Sequence, residues 1–437
     1  MTSARLPTRP SAAPLTSPSP ETWNTRDSPL PETLRALRKE PVMTRALRTA
    51  RWGAILTFVL GGLLCGTFTV RIPALTDKLG IPESSVGFAL LAWGLGALLS
   101  MQSMRGIMAR VGSRGVLRVA APLCAATLLL VGLAPSFPLL VGAAFVFGMA
   151  FGAVDVAMNA QGSTVERAYG RPLMSGMHAG WCVGAISAGL FGTAAIAAGL
   201  SLAAHMAIVA VLALPASVAL SRTYLADGVT REEAKGARGR LPGVVYLLGA
   251  ITFGAFMVEG VVADWNGLFL RNTLMAPESL AALGYPIFEA GMLLGRLSGD
   301  RLRMRFGAAG LMGFSGLATA ATFAVVVVAP SAVVALAAML FVGLAVATIS
   351  PMAMSLAGTA TDTPGPAIAQ AGAMGYAGLL LGPVVIGFLS GATSLRVAMV
   401  TAVVLGVLIA VATRFLSRAR TAPAEVGVET ERLPVAA

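Results

Sequence analysis

Long runs of apolar residues alternate with short polar segments along most of the chain. An α-helix needs about 20 predominantly apolar residues to cross a lipid bilayer. Runs of this length predict spanning helices at about residues 52–73, 84–104, 115–134, 138–162, 174–199, 202–221, 243–270, 279–298, 308–329, 332–358, 366–391 and 394–416. The pattern predicts an all-α integral membrane protein, since it lacks the alternating strands of about ten residues that form a transmembrane β-barrel.

Polar segments divide these predicted helices into two groups of six. The first residues of the chain are rich in Pro, Ser and Thr and cannot bury enough apolar surface to fold. A basic segment begins at Met43, which makes this residue a candidate start. In chain order we expect a disordered basic tail at 1–50, a six-helix bundle at 51–222, a central loop at 223–242, a second six-helix bundle at 243–416 and a disordered tail at 417–437.

The two groups show an internal repeat when they are aligned at an offset of 195 residues. A single match is weak because the chain has 50 glycines, but the offset is constant over several helices. Two halves of the same orientation predict a parallel repeat, with the functional site at the interface between them. The matched pairs are Gly112 and Gly307, Arg110 and Arg305, Gly148 and Gly343, Gly180 and Gly375, Trp181 and Tyr376, and Gly192 and Gly387.

The composition, 56% hydrophobic and 12% charged, excludes a soluble domain and requires contact with a lipid bilayer. The formal net charge of +12 would suggest a nucleic-acid partner in a soluble protein, but here the basic residues lie between apolar runs. The positive-inside rule predicts a cell-membrane protein with both termini in the cytoplasm. We also expect a monomer and no nucleic-acid partner. The loops assigned to the cytoplasm carry Arg105, Arg110, Arg114, Arg118, Arg167, Arg171, Arg222, Arg231, Lys235, Arg238, Arg240, Arg296, Arg301, Arg303 and Arg305, whereas the opposite loops have little beyond Lys78, Arg271 and Arg396.

Six plus six helices, a basic central loop and a parallel repeat resemble the major facilitator superfamily of secondary transporters. The segment "GRLSGDRLRMRFG", residues 295–307, matches the glycine, acid and basic positions of a loop signature of that superfamily. The equivalent first-half loop, residues 104–115, keeps the glycines and arginines but has no acid. The resemblance implies the superfamily fold, with twelve helices in two parallel six-helix repeats. An acid among arginines at a helix end can hold two cytoplasmic segments together, so Asp300, Arg301 and Arg305 are candidates for a gate, whereas basic loop residues in general mostly set orientation and contact anionic lipid.

Within the superfamily, four segments resemble a bacterial branch related to fucose:proton symporters. They are "VRIPALTDKLGIPESSVG", "DVAMNAQG", "RPLMSGMHAGW" and "EGVVADWNGLFLR". The fourth helix of the fucose branch carries an acid followed four residues later by Asn-Pro. Asp155 and Asn159 match that acid and Asn, while Ala160 stands in place of the Pro. This resemblance implies proton-coupled transport.

Three ionisable residues inside predicted helices are candidates for proton coupling: Asp155, His178 and Glu259. Such residues are costly in lipid and usually face a cavity or a partner. The hairpin of the fourth and fifth helices puts His178 at the depth of Asp155, which predicts a coupled pair. The alternatives are that Asp155 is a helix-packing acid or lies at the hydrated cytoplasmic end of its helix, and that His178 bonds only to backbone or water.

Polar and aromatic residues nearby are candidates for substrate binding. Asn159 and Gln161 have amides that can hydrogen-bond a polar solute, although Asn159 can equally join helices. Trp181 and Trp265 can stack on a planar solute, although interfacial tryptophans more often anchor helices. Asn266 follows Trp265 in the seventh predicted helix and is a further candidate.

A second gate is predicted where the first and seventh helices end. Arg71 and Asp264 lie near those ends, and a contact between them would bridge the halves when the outside is closed. The alternative is that each extends separately toward water.

The leading hypothesis is a proton-coupled secondary transporter that moves a small polar solute by alternating access. The alternatives are efflux of a drug or metabolite by antiport, and a transporter-like sensor that moves nothing. The sequence has no Gly-rich phosphate loop ending in Gly-Lys-Ser or Gly-Lys-Thr, no Gly-x-Ser-x-Gly, and no His and Cys set with metal spacing. We therefore expect no enzymatic activity, no cofactor and no metal.

Overall fold

The computed structural model describes residues 45–170, 173–227, 241–361 and 364–419. These residues form α-helices and one π-helix. The α-helices are α1 (Arg45–Val70), α2 (Ile72–Leu79), α3 (Glu83–Leu133), α4 (Phe137–Tyr169), α5 (Met174–Ala197), α6 (Leu202–Leu220), α7 (Gly243–Leu268), α8 (Glu278–Ala281), α9 (Gly284–Phe306), α10 (Ala308–Val328), α11 (Ala332–Val346), α12 (Ile349–Thr359), α13 (Pro364–Ala392) and α14 (Leu395–Ala419), and the π-helix is Phe269–Thr273.

Eleven helical segments in the described ranges are long and apolar enough to cross a membrane. The helix α9 has similar length but carries Glu289, Arg296 and a basic end. It packs in parallel along α11, because a Cβ on Gly291 would lie 2.0 Å from the carbonyl oxygen of Leu340 and one on Gly295 would lie 2.8 Å from that of Leu344. Since α11 belongs to a membrane span, α9 crosses with it and completes the predicted twelve.

The predicted repeat is visible in how the helices touch. A Cβ on Gly96 would lie 2.2 Å from the carbonyl oxygen of Phe145, and the equivalent one on Gly291 would lie 2.0 Å from that of Leu340. Both glycines and both partners are related by the offset of 195 residues seen in the sequence. The same backbone approach is therefore built twice, and the two parallel six-helix repeats are confirmed.

The left-handed glycines Gly112 and Gly307 mark the same loop in each half, with φ of 69° and 72°. In the first half the range of α3 holds two spanning helices, which meet at Gly112, where φ is 69° and ψ is 170° and the backbone is not helical. There the carboxylate of Asp227, from the segment after α6, accepts hydrogen bonds from the backbone N–H groups of Ser113 at 2.8 Å and Arg114 at 3.4 Å. An acid from elsewhere in the chain thus reaches the loop in which the sequence shows none.

The tenth predicted helix, expected to be continuous over about residues 332–358, is divided. The first part, α11, ends at Val346 and α12 begins at Ile349. Pro351 has no backbone N–H, so it cannot donate the helical hydrogen bond to Ala347. The break places Thr348 on the wall of the central cavity.

We call the side of the bundle where α1 and α7 begin the basic side, because the loop arginines Arg110, Arg114, Arg301 and Arg305 lie there, and the opposite side the far side. Several predicted features lie outside the described residues. They are the start at Met43, most of both tails, the loop residues Arg171, Arg231, Lys235, Arg238 and Arg240, and the side chains of Arg105 and Asp300.

Candidate functional site

A cavity of about 490 Å³ lies between the two halves of the bundle. This volume is typical of sites for small molecules, which range over about 300–1,000 Å³. The predicted residues that line it are Asp155, His178, Trp181, Glu259 and Asp264. Polar residues of the lining that the sequence reasoning did not select are Cys65, Thr69, Tyr285, Glu289, Arg296, Arg303, Thr348, Ser350 and Tyr376.

Asp155 joins the two halves inside this cavity. The hydroxyl of Tyr376, on α13, donates a hydrogen bond to its Oδ2. From one turn along α4, Asn159 Nδ2 donates to the Asp155 carbonyl oxygen at 2.9 Å and contacts Oδ1 at 3.3 Å. Asn159 is not part of the cavity lining, so in this structure it supports Asp155 instead of facing a solute.

His178 lines the same cavity but does not form the predicted pair with Asp155. The carboxylate of Asp155 bonds to Tyr376 and Asn159. The imidazole of His178 instead packs edge-on against Phe58 of α1, with ring centroids 5.1 Å apart. Both residues line the same cavity, but the predicted direct contact between them is wrong, because Asp155 bonds to Tyr376 of α13 and His178 packs against Phe58 of α1.

Arg296 makes a second contact between the halves. Its Nη1 lies 3.4 Å from the carbonyl oxygen of His178 and 3.1 Å from Cys182 Sγ, both on α5. Arg296 was predicted to be a loop charge, which is wrong, because α9 continues to Phe306 and carries Arg296 within it. Arg303, further along α9, donates to Ser355 Oγ of α12 at 3.2 Å. The two cavity arginines therefore each contact protein atoms.

Two cavity carboxyls have an oxygen without a hydrogen-bond donor among the described residues. Glu289 on α9 is 5% exposed, and its Oε2 is buried without a partner. Glu259 on α7 has a buried Oε1 in the same situation. Buried polar atoms usually have a partner, so an unsatisfied pair beside a cavity needs an explanation.

Two of the predicted substrate-binding residues, Trp265 and Asn266, follow Asp264 but are not part of the cavity lining. Both are fully buried. A Cβ on Gly387 would lie 3.4 Å from Trp265 Cη2, and one on Gly87 would lie 3.9 Å from its Cζ2. The Trp265 ring thus fills the contact between α3 and α13, one helix from each half, near the far side.

Gln161 also lies away from the cavity lining. It is 1% exposed, and its Nε2 donates to the carbonyl oxygen of Leu225 at 3.3 Å. Leu225 belongs to the segment that follows α6, so Gln161 holds this segment against α4.

The far side is closed by charged residues from both halves. Arg71 Nη1 lies 3.7 Å from Glu278 Oε1, and Arg271 Nη1 lies 2.5 Å from Asp77 Oδ2 and 3.9 Å from Glu278 Oε2. The predicted contact between Arg71 and Asp264 is therefore wrong in its partner. Asp264 lines the cavity, while the segment after the π-helix brings Glu278 to the end of α1.

At the basic side, Arg301 and Arg305 are exposed. The guanidinium of Arg305 lies 5.4 Å from the ring centroid of Phe306. The side chain of Asp300 is outside those described. The gate predicted at these residues stays a prediction.

Two parallel six-helix halves around a polar central cavity define a multi-pass membrane protein with a transporter fold. The model of the Major Facilitator Superfamily matches residues 3–169 and 72–364 of the chain. The chain is 34% identical to "Uncharacterized transporter y4wD" of Sinorhizobium fredii over 357 residues, which cover 80% of this chain and 94% of that protein. The chain belongs to the Major Facilitator Superfamily.

Solved structures agree with this fold. A D-xylose-proton symporter superimposes with a TM-score of 0.67 at 17% identity, covering 84% of this chain and 97% of that one. A bacterial homologue of the human lysosomal transporter Spinster, inward-facing and occupied, gives a TM-score of 0.67 at 17% identity, covering 86% and 98%. At these identities the likeness concerns the fold alone. Family and fold together make this chain a membrane transporter with a small-molecule substrate.

Proposed function

We propose that this transporter moves a small polar solute across the cell membrane by alternating access, coupled to protons, and that it works as a monomer with both termini in the cytoplasm. The observation that carries the proposal is the hydrogen bond from Tyr376 to Asp155 inside the cavity. Asp155 belongs to the first half and Tyr376 to the second, so a proton on this carboxyl acts directly on the contact between the halves.

The coupling follows from the chemistry of a carboxyl group. An ionised carboxylate accepts a charge-assisted hydrogen bond, which is about twice as strong as one between neutral groups. Protonation of Asp155 weakens the bond from Tyr376 and favours separation of α4 from α13. Proton binding and movement of the halves therefore bias each other, as linkage requires.

Alternating access is supported by the difference between the two sides of the bundle. On the far side, Trp265 and the pair of Arg271 and Asp77 close the contact between the halves. Toward the basic side, the cavity is lined by Met174 and Arg303 from the ends of their helices. We take this arrangement as a state that faces the cytoplasm.

The remaining predicted residues receive roles within this scheme. His178 and Glu259 line the cavity and are further candidates for a proton. Asp300, Arg301 and Arg305 are candidates for a gate that closes the basic side. The likeness of Asp155 and Asn159 to the fucose branch supports proton coupling. We expect no enzymatic activity, cofactor or metal.

The experiment uses purified protein in proteoliposomes with an imposed pH gradient. We expect the gradient to drive accumulation of a small polar solute. The Asp155→Asn variant, which keeps a hydrogen-bond acceptor but cannot take a proton, should lose accumulation and keep exchange of solute at equal concentrations. Ser187→Ala, an exposed position on α5, is the control. Unchanged accumulation by Asp155→Asn would refute the role of Asp155.

The same assay separates the proposal from its two alternatives. Accumulation driven by an inward proton gradient indicates symport, and solute expulsion under that gradient indicates efflux by antiport. Failure of any tested polar solute or lipophilic cation to move would favour a sensor.

A further inference from the structure

The central cavity contains more acidic groups than basic groups. The carboxyls are Asp155, Glu259, Asp264 and Glu289, and the permanent cations are Arg296 and Arg303. Both cations already contact atoms of the protein, Arg296 at His178 and Cys182 and Arg303 at Ser355. Asp155 accepts from Tyr376 and Asn159. The buried carboxyl oxygens of the cavity that have no donor among the described residues are on Glu259 and Glu289.

Of these two residues, Glu289 places the stronger constraint on the kind of ligand that the cavity can bind. The residue is only 5% exposed, yet it lines the cavity. Its Oε2 has no hydrogen-bond donor within the part of the chain that is described. Tyr285, one helical turn earlier on α9, and Cys182 approach the same carboxyl, but Oε2 remains unsatisfied. Glu259 contributes a second unsatisfied oxygen from α7.

Unsatisfied buried acceptors favour a ligand with several hydrogen-bond donors and a positive charge. A protonated amine has both properties, since an ammonium group carries up to three N–H donors and no acceptor. The aromatic rings of Trp181 and Tyr285 also line the cavity, and aromatic rings attract cations. An anionic solute would instead meet the two carboxylates of Glu259 and Glu289, against which stands the single guanidinium of Arg296, the cation that interacts with both.

We propose that the transported solute is a small amine, cationic or zwitterionic, whose ammonium group binds between the carboxylates of Glu259 and Glu289. This inference rests on the proposed transport function and adds the substrate class. It separates two tasks within the cavity. Glu259 and Glu289 hold the amine, and Asp155, which already bonds to Tyr376, remains for the proton.

Matched probes test this proposal on the purified protein without knowledge of the natural solute. The panel pairs amines with uncharged partners of similar shape: glucosamine with glucose and N-acetylglucosamine, and ethanolamine with ethylene glycol. A ligand that binds only the folded state raises the apparent melting temperature by mass action. We expect at least one amine to raise it, its uncharged partner to have no effect, and Glu289→Gln to lose the shift.

The matched control is Glu166→Gln near the end of α4, which makes the same chemical change outside the cavity lining and keeps an oxygen that can accept from the N–H groups of Leu173 and Met174. This variant should keep the amine-dependent shift. Equal shifts for an amine and its uncharged partner, a shift that Glu289→Gln retains, or no shift from any amine would overturn the proposal. If Glu289→Gln and the wild type have the same melting temperature without ligand, a missing ligand-induced shift in the variant is due to lost binding and not to lost folding.

Proteoliposome uptake of the same probes distinguishes this inference from the proposed function. If an amine binds through Glu289 but is not moved in either direction, the proposed amine site stands and the proposed transport function is refuted. If glucose or another uncharged solute is moved and no amine is moved, the proposed transport function stands and the proposed amine site is refuted.

Discussion

Tyr376 of α13 donates a hydrogen bond to the carboxylate of Asp155 on α4, and this contact joins the two halves within the central cavity. The ring of Tyr376 also packs edge-on against Phe256 of α7, with centroids 5.7 Å apart. The hydroxyl is therefore held in place by aromatic packing within the second half. A carboxyl of one half and a positioned donor of the other form a contact that a proton can alter.

Removal of the Tyr376 hydroxyl should change coupling more than folding. In Tyr376→Phe the ring still packs against Phe256, but Asp155 loses its donor from the other half. Hydrogen bonds to charged groups contribute about 1.5–3 kcal/mol, so we expect the halves to separate more readily. We predict less solute accumulated per unit of pH gradient in proteoliposomes, with solute exchange retained. Accumulation equal to that of the wild type would contradict the bridge between the halves.

The pair of Arg271 and Asp77 should control access from the far side. Both side chains are partly exposed, so the pair contributes at most about 1 kcal/mol, or about fivefold in the ratio of closed to open states. We expect Asp77→Arg, which adds repulsion with Arg271, to open the far side, and Asp77→Arg combined with Arg271→Asp to restore closure in part. The effect of Asp77→Arg should decrease with added salt, because screening weakens exposed charges.

A cysteine of the cavity reports this opening. Cys65 lines the cavity, so a membrane-impermeant maleimide applied to intact cells should label Asp77→Arg faster than the wild type. The Cys65→Ser background identifies the labelled thiol, because the added signal should disappear there. A labelling rate for Asp77→Arg equal to that of the wild type would show that this ion pair does not close the far side.

Close packing inside each half should be intolerant of one added methyl group. A Cβ on Gly148 of α4 would lie 1.9 Å from the backbone carbonyl oxygen of Trp93, which cannot rotate away. Overpacking of this kind costs about 1–3 kcal/mol, so Gly148→Ala should lower the apparent melting temperature in detergent. Gly142→Ala, on the same helix, meets nothing within 4 Å and should match or exceed the wild type. Equal behaviour of the two variants would contradict the close contact of α3 with α4.

The spans could be predicted from the length of the apolar runs, and the repeat from the constant offset between matching residues of the two halves. Apolar runs of sufficient length mark the spans, and Gly96 and Gly291 allow the same close approach in each half. The helix α9 was harder to delimit, since Arg296 near the predicted end resembled a loop charge. An ionisable residue inside a span is a signal of function, and applied to Glu289 it would have identified this residue as well.

Side-chain partners could not be predicted, because they depend on how each helix is rotated about its axis. Successive residues on an α-helix differ in direction by about 100°. Asp264 lines the cavity while its neighbours Trp265 and Asn266 do not, a distinction that their position in the sequence cannot give. Tyr376 was likewise seen only as the repeat partner of Trp181, since nothing in the sequence links its hydroxyl to Asp155.

Asp227 should stabilise the second part of α3 through its carboxylate. The residue accepts from the backbone N–H of Ser113 at 2.8 Å and of Arg114 at 3.4 Å, directly after the left-handed Gly112. Loss of such a capping acceptor costs about 1 kcal/mol, so Asp227→Ala should lower the apparent melting temperature in detergent.

The Asp227→Asn variant separates the acceptor from the charge. Its side-chain oxygen can still accept from Ser113, so it should retain most of the stability if the hydrogen bond is what matters. A melting temperature as low as that of Asp227→Ala would assign the effect to the negative charge beside the N-terminal end of a helix. Wild-type stability of Asp227→Ala would refute the capping role. In that case the hydrogen bonds of Gln161 with Leu225 and of Thr57 with Tyr224 would hold the segment after α6 against the first half.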